Sequence, residues 1–155
     1  MSRYPVDTER TKSRTVVEEL MEAGEEPSAA LQRLRSWALT RGMELTGTSS
    51  WTLPGEGAPF HIRHDITDRA EVEILPEEPA RVRTLPSVFV LRASGHGRPG
   101  SPAAIAEKLA EWAAKYGYEV VDGEAEVILH SGEGDFEVLL PVRRPEREDF
   151  ITVEA

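Results

Sequence analysis

Residues 101–121 read SPAAIAEKLAEWAAKYGYEVV, and this stretch decides the fold. Ser101 can cap the first turn of a helix, and Pro102 suits the position that follows. Gly117 can adopt the left-handed conformation that ends a helix, so residues 118–121 are expected to continue as a strand. The apolar residues between these signals recur at helical spacing and form one stripe: Ile105, Leu109, Trp112, Ala113 and Tyr116.

The same order of residues occurs earlier in the chain. The segment LRSWALTRGMEL at residues 34–45 matches LAEWAAKYGYEV at residues 109–120 in its Leu, Trp, Ala, Gly and Glu positions, with a constant offset. Pro27 and Pro102 are related by that offset as well. Weaker similarity extends into the segments before and after each helix, and the sequence therefore predicts two copies of a strand–helix–strand–strand unit.

These elements predict an α+β domain in which two pseudo-symmetric modules form one curved, mostly antiparallel sheet. Both helices are expected on one face of the sheet, with a ligand cleft on the other. A flexible N-terminal arm is expected at residues 1–13, because they are polar and show no periodicity. The single domain then covers residues 14–155, divided into module one at 14–79 and module two at 80–155.

The boundaries of the other elements follow from alternation and turn residues. The first helix is expected at residues 28–41, and residues 76–86 are expected to connect the two copies. A short edge strand is possible at residues 150–153. The expected strands, listed by range, are 15–23, 43–52, 60–66, 70–75, 88–93, 124–130 and 135–142.

Composition excludes several classes of function. The 155 residues carry a net charge of −10, which argues against nonspecific binding of nucleic acid and against an anionic membrane surface. The absence of cysteine excludes disulfides, thiolate metal sites and cysteine nucleophiles. The sequence shows no signal peptide and no apolar run of membrane-spanning length, so a cytoplasmic location is expected.

Strand alternation predicts which side chains face away from the helices. In residues 124–130, Ala125, Val127 and Leu129 suit the core side, and in residues 135–142 the core side takes Phe136, Val138 and Leu140. The repeat offset gives Trp51 the position that Glu126 holds in the other copy, on the open side. The open face is therefore expected to carry Trp51, Glu71, Glu73, Glu126, Ile128, Glu137 and Leu139.

This mixture of carboxylates with aromatic and aliphatic side chains is typical of a pocket for a flat, lipophilic cation. Such a pocket combines burial of apolar area, cation–π contact and charge pairing. The alternative interpretation is a solvated sheet face with scattered apolar residues, since single exposed hydrophobic side chains are common.

Four sequence features resemble the GyrI-like small-molecule-binding domain, also called the bacterial transcription-activator effector-binding family. They are Leu85-Pro86, a strand that ends at Gly95, the Leu109, Trp112 and Gly117 pattern of the second helix, and FEVLLPV at residues 136–142. The resemblance covers residues 14–142. It implies two strand–helix–strand–strand modules and a cleft between them, with an acidic residue near the middle and aromatic walls.

The resemblance also implies roles for particular residues. Glu137 matches the Glu of the family's closing strand and is the first candidate for a ligand-facing carboxylate. Glu126 is the second candidate, because the family often has an acidic residue there before a Tyr. Ile128 stands near the place of that Tyr, and Trp51 is the candidate for the missing aromatic group.

Two functions from different classes follow from the resemblance. The first is a stand-alone protein that binds or sequesters hydrophobic, cationic or aromatic drugs, toxins or metabolites, as a monomer or homodimer, with no cofactor and no nucleic-acid partner. The second is a hydrolase of reactive cyclopropane-type genotoxins, in which Glu137 activates water as a general base. Binding is the preferred hypothesis, because one carboxylate beside aromatic groups satisfies a binder fully and a catalyst only in part.

Two other motifs share features with known kinds of functional site. His61 and His64 in HIRHD point to opposite faces of a strand, so the sequence predicts no metal site. The Gly-rich residues 95–100 lack the Lys-Ser/Thr ending of a phosphate-binding loop and are interpreted as a flexible rim loop.

Overall fold

The fold was analysed in a computed structural model of the chain. It describes residues 4–22, 24–53, 60–67, 74, 76–97, 100–121, 124–130 and 134–144. Within these ranges the chain forms two α-helices and nine β-strands, and every pairing between these strands is antiparallel. The predicted α+β class is therefore confirmed.

Sequence signals account for both helices. Helix α1 spans Pro27–Thr40 and helix α2 spans Pro102–Lys115, each with proline in its first turn. The Ser101 hydroxyl caps α2 by accepting a hydrogen bond from the Ala104 amide at 3.3 Å. Gly42 and Gly117 follow the two helices with φ of 79° and 80°, a conformation that a side chain would strain.

The strands in chain order are β1 (Val6–Arg10), β2 (Arg14–Leu20), β3 (Leu45–Leu53), β4 (His61–Ile66), β5 (Arg81–Leu85), β6 (Phe89–His96), β7 (Glu119–Val120), β8 (Ala125–His130) and β9 (Asp135–Arg143). Their order across the sheet is β1-β6-β9-β8-β3-β4-β2-β5, and β7 pairs with the end of β9. The β8–β3 pair therefore joins the strands around α2 to the strands around α1.

Both helices pack on the same face of the sheet. Helix α2 covers a buried cluster that includes Val127, and α1 covers a second cluster that includes Ile62. Trp51 of β3 is paired directly with both residues, and its partly buried side chain packs against both clusters. Residues paired directly across a sheet point to the same side, so the two clusters lie on one face. Trp112 packs from α2 onto its cluster, as its stripe position predicted, and its repeat counterpart Trp37 does the same from α1.

Two segments that the sequence assigned to irregular structure form strands at the sheet edges. Residues 6–10, expected within a flexible arm, form β1 against β6, where Asp7 and Glu9 both bind Arg92. Residues 81–85, expected within a connection, form β5 against β2. Edge strands are exposed on several sides and need no apolar alternation, so their pairing leaves little trace in the local sequence. The strands predicted at residues 70–75 and 150–153 lie, apart from Ile74, outside the described residues.

Candidate functional site

The face opposite the helices presents ordered rows of side chains. Register places Glu137 beside Ile128, and Glu126 beside Leu139, across the β8–β9 pair. Ile128 and Leu139 form a small buried cluster with Val90 of β6. The predicted faces of β8 and β9 are confirmed, because Val127 and Val138 of these strands belong to the cluster under α2. We call this surface the open face.

Trp51 lies on the other face, so its predicted place on the open face is wrong. The residue opposite Glu126 is Thr52, whereas Trp51 pairs with Val127 on the helix side. The register of β3 shifts between Leu45 and Ser49, around Gly47 at a φ of 98°. From Leu45 to Ser49 β3 advances four residues while β4 advances two, from Ile66 to His64, so the shift is even and reverses no face. Leu45 and Trp51 both pack against the α1 cluster, and the repeat offset is what misassigned Trp51.

The other candidate residues divide into two groups. Glu126, Ile128, Glu137 and Leu139 lie together on the open face, as predicted. Glu71 and Glu73 lie outside the described residues, so their place in a site stays a prediction.

A chain of ion pairs crosses the open face beside Glu126. One carboxylate oxygen of Glu126, Oε2, accepts hydrogen bonds from Arg14 Nη2 at 2.5 Å, from Arg63 Nη1 at 3.0 Å and from the Ser50 hydroxyl at 2.7 Å. Arg63 Nε also donates to Glu18 at 2.9 Å. We call the connected set the arginine–carboxylate ladder: Arg83, Glu18, Arg63, Glu126, Arg14 and Asp65.

Burial and pairing set the protonation of the ladder. Burial alone raises the pKa of Glu18, but hydrogen bonds and charges from Arg83 and Arg63 outweigh it, and the net pKa lies below the ordinary value. Burial disfavours the charged form of Arg63 too, yet Glu126 and Glu18 hold its pKa above the usual range. Asp65 differs, since burial raises its pKa and Arg14 Nε, 3.5 Å from its Oδ1, compensates only in part. Glu18 and Arg63 are therefore ionised at neutral pH.

A cleft of about 160 Å³ opens above the ladder, and we call it the central cleft. Its polar end carries Glu126, Arg14, Arg63 and Thr52, with the exposed Lys12 and Glu124 also among its lining residues. Residues from both sides of the β8–β3 pair therefore contribute to it. Its apolar walls are Leu85, Pro86, Val88, Val90, Leu139 and Pro141.

The edge of the central cleft near Val88 is fixed by Thr11. The Thr11 amide donates to the Val88 carbonyl at 2.8 Å, and the Val88 amide donates to the Thr11 hydroxyl at 2.9 Å. The Ser87 hydroxyl donates to the Thr11 carbonyl at 2.6 Å. The segment between β1 and β2 is thus attached to the start of β6.

A second, more polar cavity of about 450 Å³ lies further along β6, β8 and β9, and we call it the distal cavity. Glu137 accepts from Arg92 Nη1 at 3.1 Å on one oxygen and bonds His130 Nε2 at 2.9 Å on the other. His130 Nδ1 lies 3.5 Å from the Thr48 hydroxyl. Glu137 is therefore engaged by two basic side chains, and the distal cavity also contains the pair of His96 and Asp135.

The two histidines of β4 lie on opposite faces, as predicted. His64 points toward α1, where its Nε2 donates to the Leu31 carbonyl at 2.7 Å. Register aligns His64 with Val17 of the α1 core and leaves His61 on the open face. Within the described ranges, no group of three His, Asp or Glu side chains is placed to hold a metal ion.

Sequence reasoning missed the arginines of this face. Arg14 and Arg63 alternate with core residues Val17 and Ile62 in their strands, and that alternation assigns both arginines to the open side. The pairing of each arginine with Glu126 depends on the order of β8, β3, β4 and β2 across the sheet, which local pattern does not determine.

The part of the chain that the structure describes contains no helix long and apolar enough to cross a membrane.

No known family profile matches the sequence, and no curated protein matches it.

Solved structures do resemble the chain. EcmrR, in a cryo-EM complex with DNA, has a TM-score of 0.72 and 14% identity over 91% of this chain and 58% of the EcmrR chain. The chain thus spans less than two thirds of EcmrR, and the isolated EcmrR C-terminal domain matches over 98% of its length with a TM-score of 0.66.

Two further neighbours have different descriptions. A hydrolase from Listeria innocua has a TM-score of 0.61 and 11% identity, covering 91% of this chain and 93% of its own. SAV2435 bound to tetraphenylphosphonium has a TM-score of 0.53 and 15% identity, covering 90% and 94%. At these identities the likeness concerns the fold alone. The chain has the fold of the EcmrR C-terminal domain and SAV2435, in agreement with the GyrI-like fold that the sequence resemblance implied.

Proposed function

We propose that this protein binds hydrophobic small molecules in the central cleft. The observation that carries the proposal is a continuous apolar wall beside a fixed polar end. Val90 and Leu139 are held in place by the buried cluster with Ile128, and Glu126 is held by three donors. Pockets of this kind derive affinity from apolar area and orientation from a few polar groups.

The solved neighbours support a small-molecule role. SAV2435 was solved with tetraphenylphosphonium bound, and it shares the fold of this chain. The chain matches nearly the full length of the EcmrR C-terminal domain. A binder that contacts no nucleic acid through this domain is further supported by the net charge of −10.

A thermal-shift screen of neutral and cationic aromatic compounds tests the proposal. A ligand that binds the folded state raises the unfolding temperature as its concentration exceeds Kd. Val88 lines the central cleft and is 36% exposed, so Val88→Asp places a charge on the apolar wall without opening the core. We expect Val88→Asp to weaken a hit by about tenfold or more, because a carboxylate resists burial under an apolar ligand.

The matched control is Val120→Asp. Val120 is 41% exposed in β7 and does not line the central cleft. This variant should bind as the wild type does. Equal affinity of Val88→Asp and wild type would place the ligand elsewhere.

The distal cavity supports a second candidate, hydrolysis of a strained electrophile. With both oxygens of Glu137 engaged, His130 is the better general base and Glu137 orients it through the 2.9 Å contact. Water oxygen bonds to the electrophilic carbon, His130 takes the water proton, and the broken ring bond leaves a carbon that is protonated from solvent. Turnover beyond one equivalent, lost in His130→Gln, is the expected result, and strictly stoichiometric consumption would exclude this function.

The internal repeat remains part of the proposal. Outward from the β8–β3 pair, the strands follow the order β8, β9, β6 on one side and β3, β4, β2 on the other. Each set contains the strand before its helix and two strands after it. This order supports two related modules with the central cleft where they meet.

A further inference from the structure

The carboxylate at the polar end of the central cleft is already matched by positive charge. All three hydrogen bonds to Glu126 converge on Oε2, and two of the donors are guanidinium groups. Arg14 has only 18% of its side chain exposed and Arg63 only 10%. Both arginines line the central cleft together with Glu126. A ligand entering the cleft therefore meets two fixed positive charges around one negative charge.

A permanent cation is disfavoured in this environment. Its attraction to Glu126 is opposed by Arg14 and Arg63, and the low polarity of the walls strengthens both interactions. Displacing Arg14 would also remove its contact with Asp65, whose Oδ1 is buried and accepts no hydrogen bond among the described residues. A lipophilic cation would have to break these pairs in order to use the carboxylate.

An anion meets the opposite difficulty. The guanidinium nitrogens nearest the carboxylate, Arg14 Nη2 and Arg63 Nη1, already donate to Glu126. The other oxygen of Glu126, Oε1, accepts no hydrogen bond within the described part of the chain, and Glu126 lines the cleft. An incoming carboxylate would approach this unoccupied acceptor and be repelled by it. At the rim, the exposed Lys12 and Glu124 carry opposite charges and add no net preference.

We propose that the central cleft selects uncharged hydrophobic ligands that carry a hydrogen-bond donor, which Glu126 Oε1 accepts. The inference rests on the proposed small-molecule binding in this cleft and names its ligand class. This uncharged ligand class takes the place of the lipophilic cation that the sequence pattern predicts. The donor is a hydroxyl or amide N–H on an aromatic or aliphatic body that packs on Val88, Val90 and Leu139.

Four naphthalene probes of similar size test the inference by titration calorimetry with the whole chain. They are 2-naphthylmethanol, its methyl ether, 2-naphthylmethylammonium and 2-naphthoate. We expect the alcohol to bind about tenfold or more tightly than either charged probe, and tighter than the ether that lacks the donor. A tighter ammonium, a tighter naphthoate or an ether equal to the alcohol would each overturn the inference while leaving binding in the cleft intact. Failure of all four probes to bind would contradict the proposed function itself.

Two variants sharpen the test. Arg14→Gln removes one guanidinium from Glu126 and should raise affinity for the ammonium probe by about tenfold, with the alcohol changed far less. Arg41→Gln is the control, because it removes the same charge from a pair with Glu78 that lies outside the central cleft. An equal gain in both variants would assign the effect to net charge and overturn the role of Arg14. If Arg14→Gln fails to fold, the order of the affinities of the four probes for the wild-type protein still tests the inference.

Discussion

Gly95 of β6 occupies a position where no side chain fits. A Cβ built on Gly95 would lie 2.9 Å from ring atoms of both Phe136 and Tyr4. Tyr4 packs edge-on against Phe136 with ring centroids 5.3 Å apart, and Phe136 is fully buried in the cluster under α2. The glycine is therefore required for close packing at this position.

Gly95→Ala should lower the free energy of unfolding by about 1–3 kcal/mol, because two packed rings would have to move. Gly100→Ala is the matched control, since a Cβ there would meet nothing within 4 Å. Urea denaturation of both variants measures the difference. A loss in Gly100→Ala equal to that in Gly95→Ala would attribute the effect to backbone flexibility rather than to the rings.

At the same scale, single side chains show the limits of local pattern. The outward positions of Glu126, Ile128, Glu137 and Leu139 were predictable, because β8 and β9 alternate without interruption. Trp51 was misplaced because its face was taken from the repeat offset, whereas alternation along β3 puts it on the same side as Leu45 of the α1 cluster. The repeat therefore identifies related helices but does not transfer the face of a strand from one copy to the other.

The elements differ in how strongly their own residues define them. Helices α1 and α2 were predicted to within about two residues, because caps, proline and apolar spacing all lie inside the helix or beside it. Strands β1 and β5 were missed, because both are stabilised by pairing with distant strands and by ion pairs such as Arg83 with Glu18 at 2.8 Å. Such contacts can be predicted only when the order of the strands across the sheet is known.

The contact between β4 and α1 predicts a pH dependence of stability. Burial lowers the pKa of His64, and Arg35 lowers it further, against the hydrogen bond to Leu31 that raises it. A histidine with a lowered pKa binds its proton more weakly in the folded state than in the unfolded state. Its contribution to stability is thus complete above about pH 6.5 and is lost as the pH falls toward the folded-state pKa.

His64→Gln retains a donor for Leu31 and removes the titration. Between about pH 7 and pH 5 the wild type should lose stability more steeply than this variant, by at most about 1.4 kcal/mol per pH unit. Denaturant unfolding at several pH values gives both slopes. Parallel slopes would mean that His64 titrates normally in the folded protein.

At the scale of the molecule, the described residues form one sheet, and two buried apolar clusters lie between the sheet and the helices. One cluster lies under α2 and the other under α1, and Trp51 contacts both. The β3–β8 ladder, with six residue pairs, is the backbone link between the two sets of strands. We therefore expect cooperative unfolding of the domain to depend on Trp51, the side chain that the repeat offset had assigned to the ligand site.

Trp51→Ala should lower the free energy of unfolding by about 2–4 kcal/mol and broaden the transition, because it removes the shared contact between the cores. It should leave affinity for a cleft ligand unchanged within about twofold, since Trp51 faces the helices. Trp37→Ala is the comparison, because Trp37 contacts the α1 cluster. Urea unfolding followed by circular dichroism, together with calorimetric titration, measures both quantities. A large loss of affinity in Trp51→Ala alone would return this residue to the binding site.

The arginine–carboxylate ladder also constrains how the protein can evolve. Arg14 and Glu126 meet although 112 positions separate them in the chain, and Arg63 binds Glu126 and Glu18 at once. Substituting one member leaves a partly buried charge without its partner, so a second substitution elsewhere in the chain must restore the balance. Relatives that accept ligands of another charge are therefore expected to differ from this chain by coordinated changes in separate strands.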